Sequence, residues 1–194
     1  MARYLLRVAN QVGYTPKNVE QVAETVRKTL GSRESASHFR VSTEAVEFNM
    51  FAQNEKELDE RKKLLTQRLF RIVNLKLLDT PPKAVDKEEA LAEGIQPFNE
   101  ERFWECHEAL EQAWHLSKGV ERDAIQSIIL TAAAFVHYQK GEDEICLSIL
   151  KRAKTKFASA KTYDKIDLER IQSNIEEILD SEKIRLFKLR MSRI

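Results

Sequence analysis

Cysteine occurs twice, proline four times and glycine five times in 194 residues. Two thiols, Cys106 and Cys146, are too few for a disulfide framework, and both stand in stretches that read as helix. Free thiols in a reducing compartment are therefore expected. No apolar run approaches the roughly 20 residues of a membrane span. The amino-terminal MARYLLRVANQVGY has no apolar stretch of signal-peptide length. A cytoplasmic protein with no membrane partner is the expectation. A dominant charge of one sign is also missing, since the formal net charge is +1. Residues 1–80 carry 14 Lys+Arg against 10 Asp+Glu and residues 81–194 carry 18 against 21, giving +4 and −3. Neither excess marks a polyanion-binding surface.

With 42% hydrophobic and 32% charged residues, the chain has the composition of a folded, helix-rich protein and the length for two small domains. Two adjacent prolines, Pro81 and Pro82, remove two backbone donors and bias the preceding residue away from helix. They place a linker at 81–85 between a domain at 1–80 and another at 86–194.

Upstream of the linker, Tyr4 to Val8 alternates as a strand. Thr15-Pro16 then opens an amphipathic helix through Val19, Val22, Val26 and Leu30, stopped at Gly31. His38–Ser42 and Ala45–Phe51 read as a hairpin. Asn54 caps a helix from Glu55 to Leu69, and Arg71–Leu77 reads as a last strand. The order βαββαβ is that of a ferredoxin-like sandwich, so the fold class expected is α+β in two domains. Downstream, the apolar period is 3.6 throughout. A short helix over Lys87–Glu93 stops at Gly94. Asn99 caps a helix from Glu100 to Lys118, and others follow over Val120–Lys140, Asp143–Ala160 and Asp167–Arg190. Together they predict an all-helical bundle.

On the helix after Asn99, Phe103, His107, Leu110 and Trp114 recur at steps of three and four, which puts His107 within the apolar stripe. The run His107-Glu108-Ala109-Leu110-Glu111 has the form HExxE. It is related to the HExxH zinc motif, with a carboxylate as the second ligand. On the next helix Gln126, Ala133 and His137 share a face, so antiparallel packing predicts His107, Glu111, Gln126 and His137 converging on one site. The metal ligands expected are His107, Glu111 and His137, holding a divalent ion such as zinc. Glu108 or Glu105 would be the general base, and Asn99, Trp114 and Gln126 would contact a ligand. Phe103, Leu110, Trp114, Ile129 and Ala133 should be buried.

The stretch from Ile95 to Gly141 resembles the family catalogued as domain of unknown function 309. The resemblance rests on Phe98-Asn99, Phe103, Glu105, His107-Glu108, Leu110-Glu111 and Trp114, then on Gln126, Ala132-Ala133, His137 and Gly141. It covers roughly the last 110 residues if the later helices are included. It implies a small helical bundle and a metal-dependent hydrolase. Members commonly carry Gly-Asn where this chain has Gly141-Glu142.

Two functions compete. One is a metal-assisted hydrolase through His107, Glu111 and His137. The other is a non-catalytic module for a small molecule or protein partner, in which the same side chains form a hydrogen-bonded network. RNA binding by the first domain ranks last, because Tyr4, Phe39, Phe48 and Phe51 lack the pattern of an RNA-recognition motif. Homo-oligomerisation stays open.

Overall fold

In a computed structural model the chain separates into two compact units, Met1–Lys83 with Gln139–Gly141 and Ala84–Tyr138 with Glu142–Ile194. The structure describes residues 1–78, 86–157, 162–163 and 166–190. The linker expected at 81–85 lies outside them. No helix among the described residues is long and apolar enough to cross a membrane.

The first unit runs β1 (Ala2–Ala9), α1 (Val19–Leu30), β2 (Ala36–Val41), β3 (Ala45–Ala52), α2 (Glu55–Arg68) and β4 (Ile72–Leu77). In α1, Val19, Val22, Val26 and Leu30 form the buried stripe, and Gly31 closes the helix at φ 76, the left-handed conformation that glycine adopts without strain. Asn54 caps α2 by accepting from the Glu57 N–H at 2.9 Å. The strands form one antiparallel sheet in the order β2-β3-β1-β4. Leu6, Val8, Phe48 and Met50 share a core with Val22 and Val26 of α1 and Leu58 and Leu65 of α2. Both helices thus cover the same sheet face. On the opposite face, Glu47 accepts from Arg7 at 2.5 Å and lies 3.4 Å from Arg40.

The second unit holds α3 (Lys87–Asn99), α4 (Phe103–Leu116), α5 (Gly119–Gln139), α6 (Asp143–Lys156) and α7 (Leu168–Ser181). Two short strands, β5 (Thr162–Tyr163) and β6 (Ile166–Asp167), pair antiparallel between α6 and α7, so the unit is not wholly helical.

Three boundaries depart from expectation for physical reasons. Gly94 does not stop α3. It lies where α3 meets α4, and a Cβ built there would stand 2.5 Å from Leu110 Cδ2. Asn99 ends α3 instead of capping α4, which begins after Arg102 with no side-chain cap. The last helix stops at Ser181, not Arg190, and Glu182 follows at φ 53. Its buried stripe is Leu168, Ile171, Ile175 and Ile178. Continued by three and four, that stripe would drive Glu182 and Arg185 into the core, where unpaired charge is heavily penalised. The chain leaves the helix, and Ile184, Leu186, Phe187 and Leu189 pack on the core instead.

That tail is held by a side chain. Asn99 Nδ2 donates to the Leu189 carbonyl at 3.1 Å and Asn99 Oδ1 accepts from the Leu189 N–H at 2.7 Å. Phe187 joins an aromatic cluster, 5.9 Å from Phe98 and 5.3 Å from Phe135 between ring centroids.

Candidate functional site

Phe103, Cys106, Leu110 and Ala113 are the buried stripe of α4. His107 and Trp114 stand beside that stripe, one step round the helix, and both are half-buried. Phe103, near the start of α4, meets Phe135, near the end of α5, at 5.1 Å. Trp114, near the end of α4, lies under the Arg122 guanidinium, near the start of α5, at 3.9 Å. The two helices therefore run antiparallel.

This register explains which residues come together. His107 Nε2 stands 3.9 Å from Glu111 Oε1, and the Glu111 side chain is 51% exposed. By the two contacts above, His107 lies level with about residue 130 and Glu111 with about Gln126. His137 is seven residues further along α5, about 10 Å at 1.5 Å per residue, past the start of α4. Its Nδ1 pairs with Glu142 Oε2 at 2.5 Å. The Glu142 N–H also bonds to the His137 carbonyl at 3.0 Å, across Gly141 at φ 74, the wrap that closes a helix C-terminus. Glu142 is thus the partner of His137. Among the described residues no three His, Cys, Asp or Glu side chains are grouped to hold a metal ion. The expected convergence of His107, Glu111 and His137 is corrected on that ground.

The two carboxylates expected as general base are placed differently from each other. Arg102 grips Glu105 with both arms of its guanidinium, at 2.8 and 2.5 Å. Hydrogen bonding to Glu105, then to Glu100, raises the Arg102 pKa against the opposing effect of burial. Glu105 thereby anchors the first turn of α4. Glu108 is exposed. Asn99, expected at a ligand, is the clamp on Leu189. Gln126 is half-buried on α5. Cys106 is buried, and burial pushes its thiol well above the ordinary value. Of the five residues expected in the core, Phe103, Leu110 and Ile129 are buried, while Trp114 and Ala133 are half-buried.

Two atoms on the α4 face are unusual. His107 Nδ1 and Trp114 Nε1 are shielded from water and have no hydrogen-bond partner. Leaving such a group unpaired costs about 1–3 kcal/mol, so proteins rarely leave one without a reason. Trp104 is 38% exposed. Its ring is parallel to the His107 imidazole within 2°, at 5.8 Å between centroids. The spacing of three between Trp104 and His107 was the sequence signal for that stack. Arg122 carried no comparable signal, because its partner lies on another helix.

The α4 face thus presents an exposed indole stacked on an imidazole, a carboxylate one turn further, and a second indole under a guanidinium. No curated protein and no solved structure matches the chain. Residues 91–149, from within α3 into α6, match the family model described as Domain of unknown function (DUF309).

Proposed function

We propose that the α4 face from Trp104 to Trp114 is a binding site for a flat ligand bearing an amide or carboxylate, and that this site binds without catalysing a reaction. The observation that carries this reading is the pair of shielded, unpartnered atoms, His107 Nδ1 and Trp114 Nε1, on one side of one helix. Trp114 Nε1 can only donate, so it calls for an acceptor. The exposed face of Trp104 offers a surface for a second ring. The hydrolase reading lacks its third metal ligand, since His137 is engaged by Glu142.

Both tryptophans of the chain lie in α4, so intrinsic emission reports on this face. Benzamide and nicotinamide should each change the emission saturably in the wild type, and His107→Phe should weaken that binding at least about fivefold, the loss of one hydrogen bond. Zinc should leave the emission unchanged. Saturable zinc binding that depends on His107, with no response to either amide, would overturn the reading.

For the first unit, we infer a ferredoxin-like sandwich. Its support is the antiparallel order β2-β3-β1-β4 with α1 and α2 on one face. Two free, buried cysteines support a reducing, cytoplasmic setting.

A further inference from the structure

Part of the positive charge of the first unit gathers at one cleft. A cavity of about 400 Å³ opens where β1 and α2 end and β4 begins, a size within the range of small-ligand sites. Gln11 lines it from the turn after β1, and Thr66 and Arg68 from the last turn of α2. Leu69 and the buried Phe70 follow the helix, and Arg71 stands immediately before β4. Among the described residues no carboxylate lines the cleft.

Elsewhere in this unit cations sit on acids. Arg7, Arg61 and Lys62 meet Glu47, Glu57 and Asp59 at 2.5, 2.7 and 2.9 Å. The side chains of Arg68, Arg71 and Gln11 have neither an ion pair nor a hydrogen bond among the described residues. Their backbone is nevertheless fixed. The N–H groups of Leu69 and Phe70 both donate to the Leu65 carbonyl at 2.9 Å, and the Ala9 N–H donates to the Arg71 carbonyl at 2.9 Å. A ligand entering here would not have to order a loop. Arg68 by itself has a local explanation, because a cation suits a helix C-terminus. Arg71 lies beyond the helix and has none. The end of α2 contributes about half a negative charge, which two guanidinium groups outweigh, so the cleft is cationic.

The donors select the kind of anion. Each guanidinium presents a fork of N–H groups, and the Gln11 amide adds an NH₂. The two oxygens of a carboxylate are satisfied by one fork, which would leave the second cation idle. A phosphate group, with more acceptor oxygens and a charge near −2, engages both. We propose that this cleft binds a phosphate group, free or on a small ester, with Arg68, Arg71 and Gln11 as its donors and Leu69 and Phe70 as an apolar wall. The site is independent of the one on α4.

The test follows 15N–1H spectra of the full chain at low salt. Methyl phosphate should move the backbone amide peaks of Gln11, Leu69, Phe70 and Arg71 saturably, with a Kd below about 1 mM. Arg68→Gln and Arg71→Gln should each weaken that binding at least about fivefold. Arg33→Gln, the same loss of charge at an exposed arginine that does not line the cleft, should leave it unchanged. Acetate should bind at least about tenfold more weakly than methyl phosphate. Methyl phosphate binding as tightly as inorganic phosphate, or more tightly, assigns an ester to the cleft, and the reverse order assigns the free ion. Shifts that do not saturate, an equal loss in Arg33→Gln, or acetate binding as tightly as methyl phosphate would overturn the proposal.

Discussion

Replacing His107 by phenylalanine should leave the helical unit as stable as the wild type or more so. The wild-type imidazole keeps Nδ1 shielded and unpartnered, and removing that nitrogen recovers about 1–3 kcal/mol. What is lost is the approach of Nε2 to Glu111 at 3.9 Å, onto a carboxylate that is 51% exposed. An ion pair that open to solvent contributes about 0–1 kcal/mol. The stack on Trp104 is retained by the phenyl ring. The extra volume is accommodated because the His107 side chain is 22% exposed, which lets the larger ring relax outward. The net expectation is a gain of about 0–3 kcal/mol, and in a chain of this size each kcal/mol raises Tm by about 2–4 °C. His107→Leu, which loses the stack, should fall about 0.5–1.5 kcal/mol below His107→Phe. The assay is urea unfolding followed by far-ultraviolet circular dichroism, with thermal melts alongside. A loss above about 1.5 kcal/mol in His107→Phe would mean that the imidazole is a satisfied part of the core, and the binding reading would lose its main support.

Gly94→Ala should destabilise the second unit by about 1–3 kcal/mol through overpacking, because its Cβ would meet Leu110 Cδ2 at 2.5 Å; urea unfolding measures this, and a neutral result would refute the close packing of α3 on α4. Asn99→Ala removes both bonds to the Leu189 backbone and should cost about 1–3 kcal/mol, with faster hydrogen exchange at the Leu189 amide as its local signature. Trp114→Ala should cost about 2 kcal/mol, less than a fully buried tryptophan, because the ring is half-buried and its cation–π contact with Arg122 is partly wet. Burial pushes the Cys146 thiol up from 9.0 to about 12. Folded-state values above unfolded ones mean that the stability contributed is complete below pH 9.0 and is lost as pH rises toward about 12. Unfolding titrations from pH 8 upward should show that decline, and Cys146→Ala should make it shallower, leaving the part that the buried Cys106 thiol contributes.

How far the fold could be read depended on whether the signals were local. The α1 stripe of valines, the Asn54 cap and the Gly31 stop are each decided within one or two turns, and the α+β character followed from them. Gly94 was misread because its reason is a neighbour on another helix, Leu110, and not a bend in its own. The helix expected over Asp167–Arg190 ends at Ser181 because Glu182 and Arg185 would fall on its buried stripe. At the site, the spacing of His107 and Glu111 put them side by side as expected. His137 shares a helix face with Gln126, but spacing within one helix says nothing of how far along it the neighbouring helix extends. Its partner, Glu142, stands just past the turn at Gly141.

The central claim is that the shielded indole N–H of Trp114 waits for an acceptor from a ligand. The most direct measurement is the 15N–1H spectrum of the two indole groups during titration with benzamide, with Trp104→Phe used to assign the Trp114 cross-peak. The expected result is a saturable downfield shift of the Trp114 Nε1–H peak as it gains a hydrogen bond, in the wild type and much weakened in His107→Phe. The contradicting result is a Trp114 peak already at a hydrogen-bonded position in the free protein and unmoved by benzamide at saturating concentration.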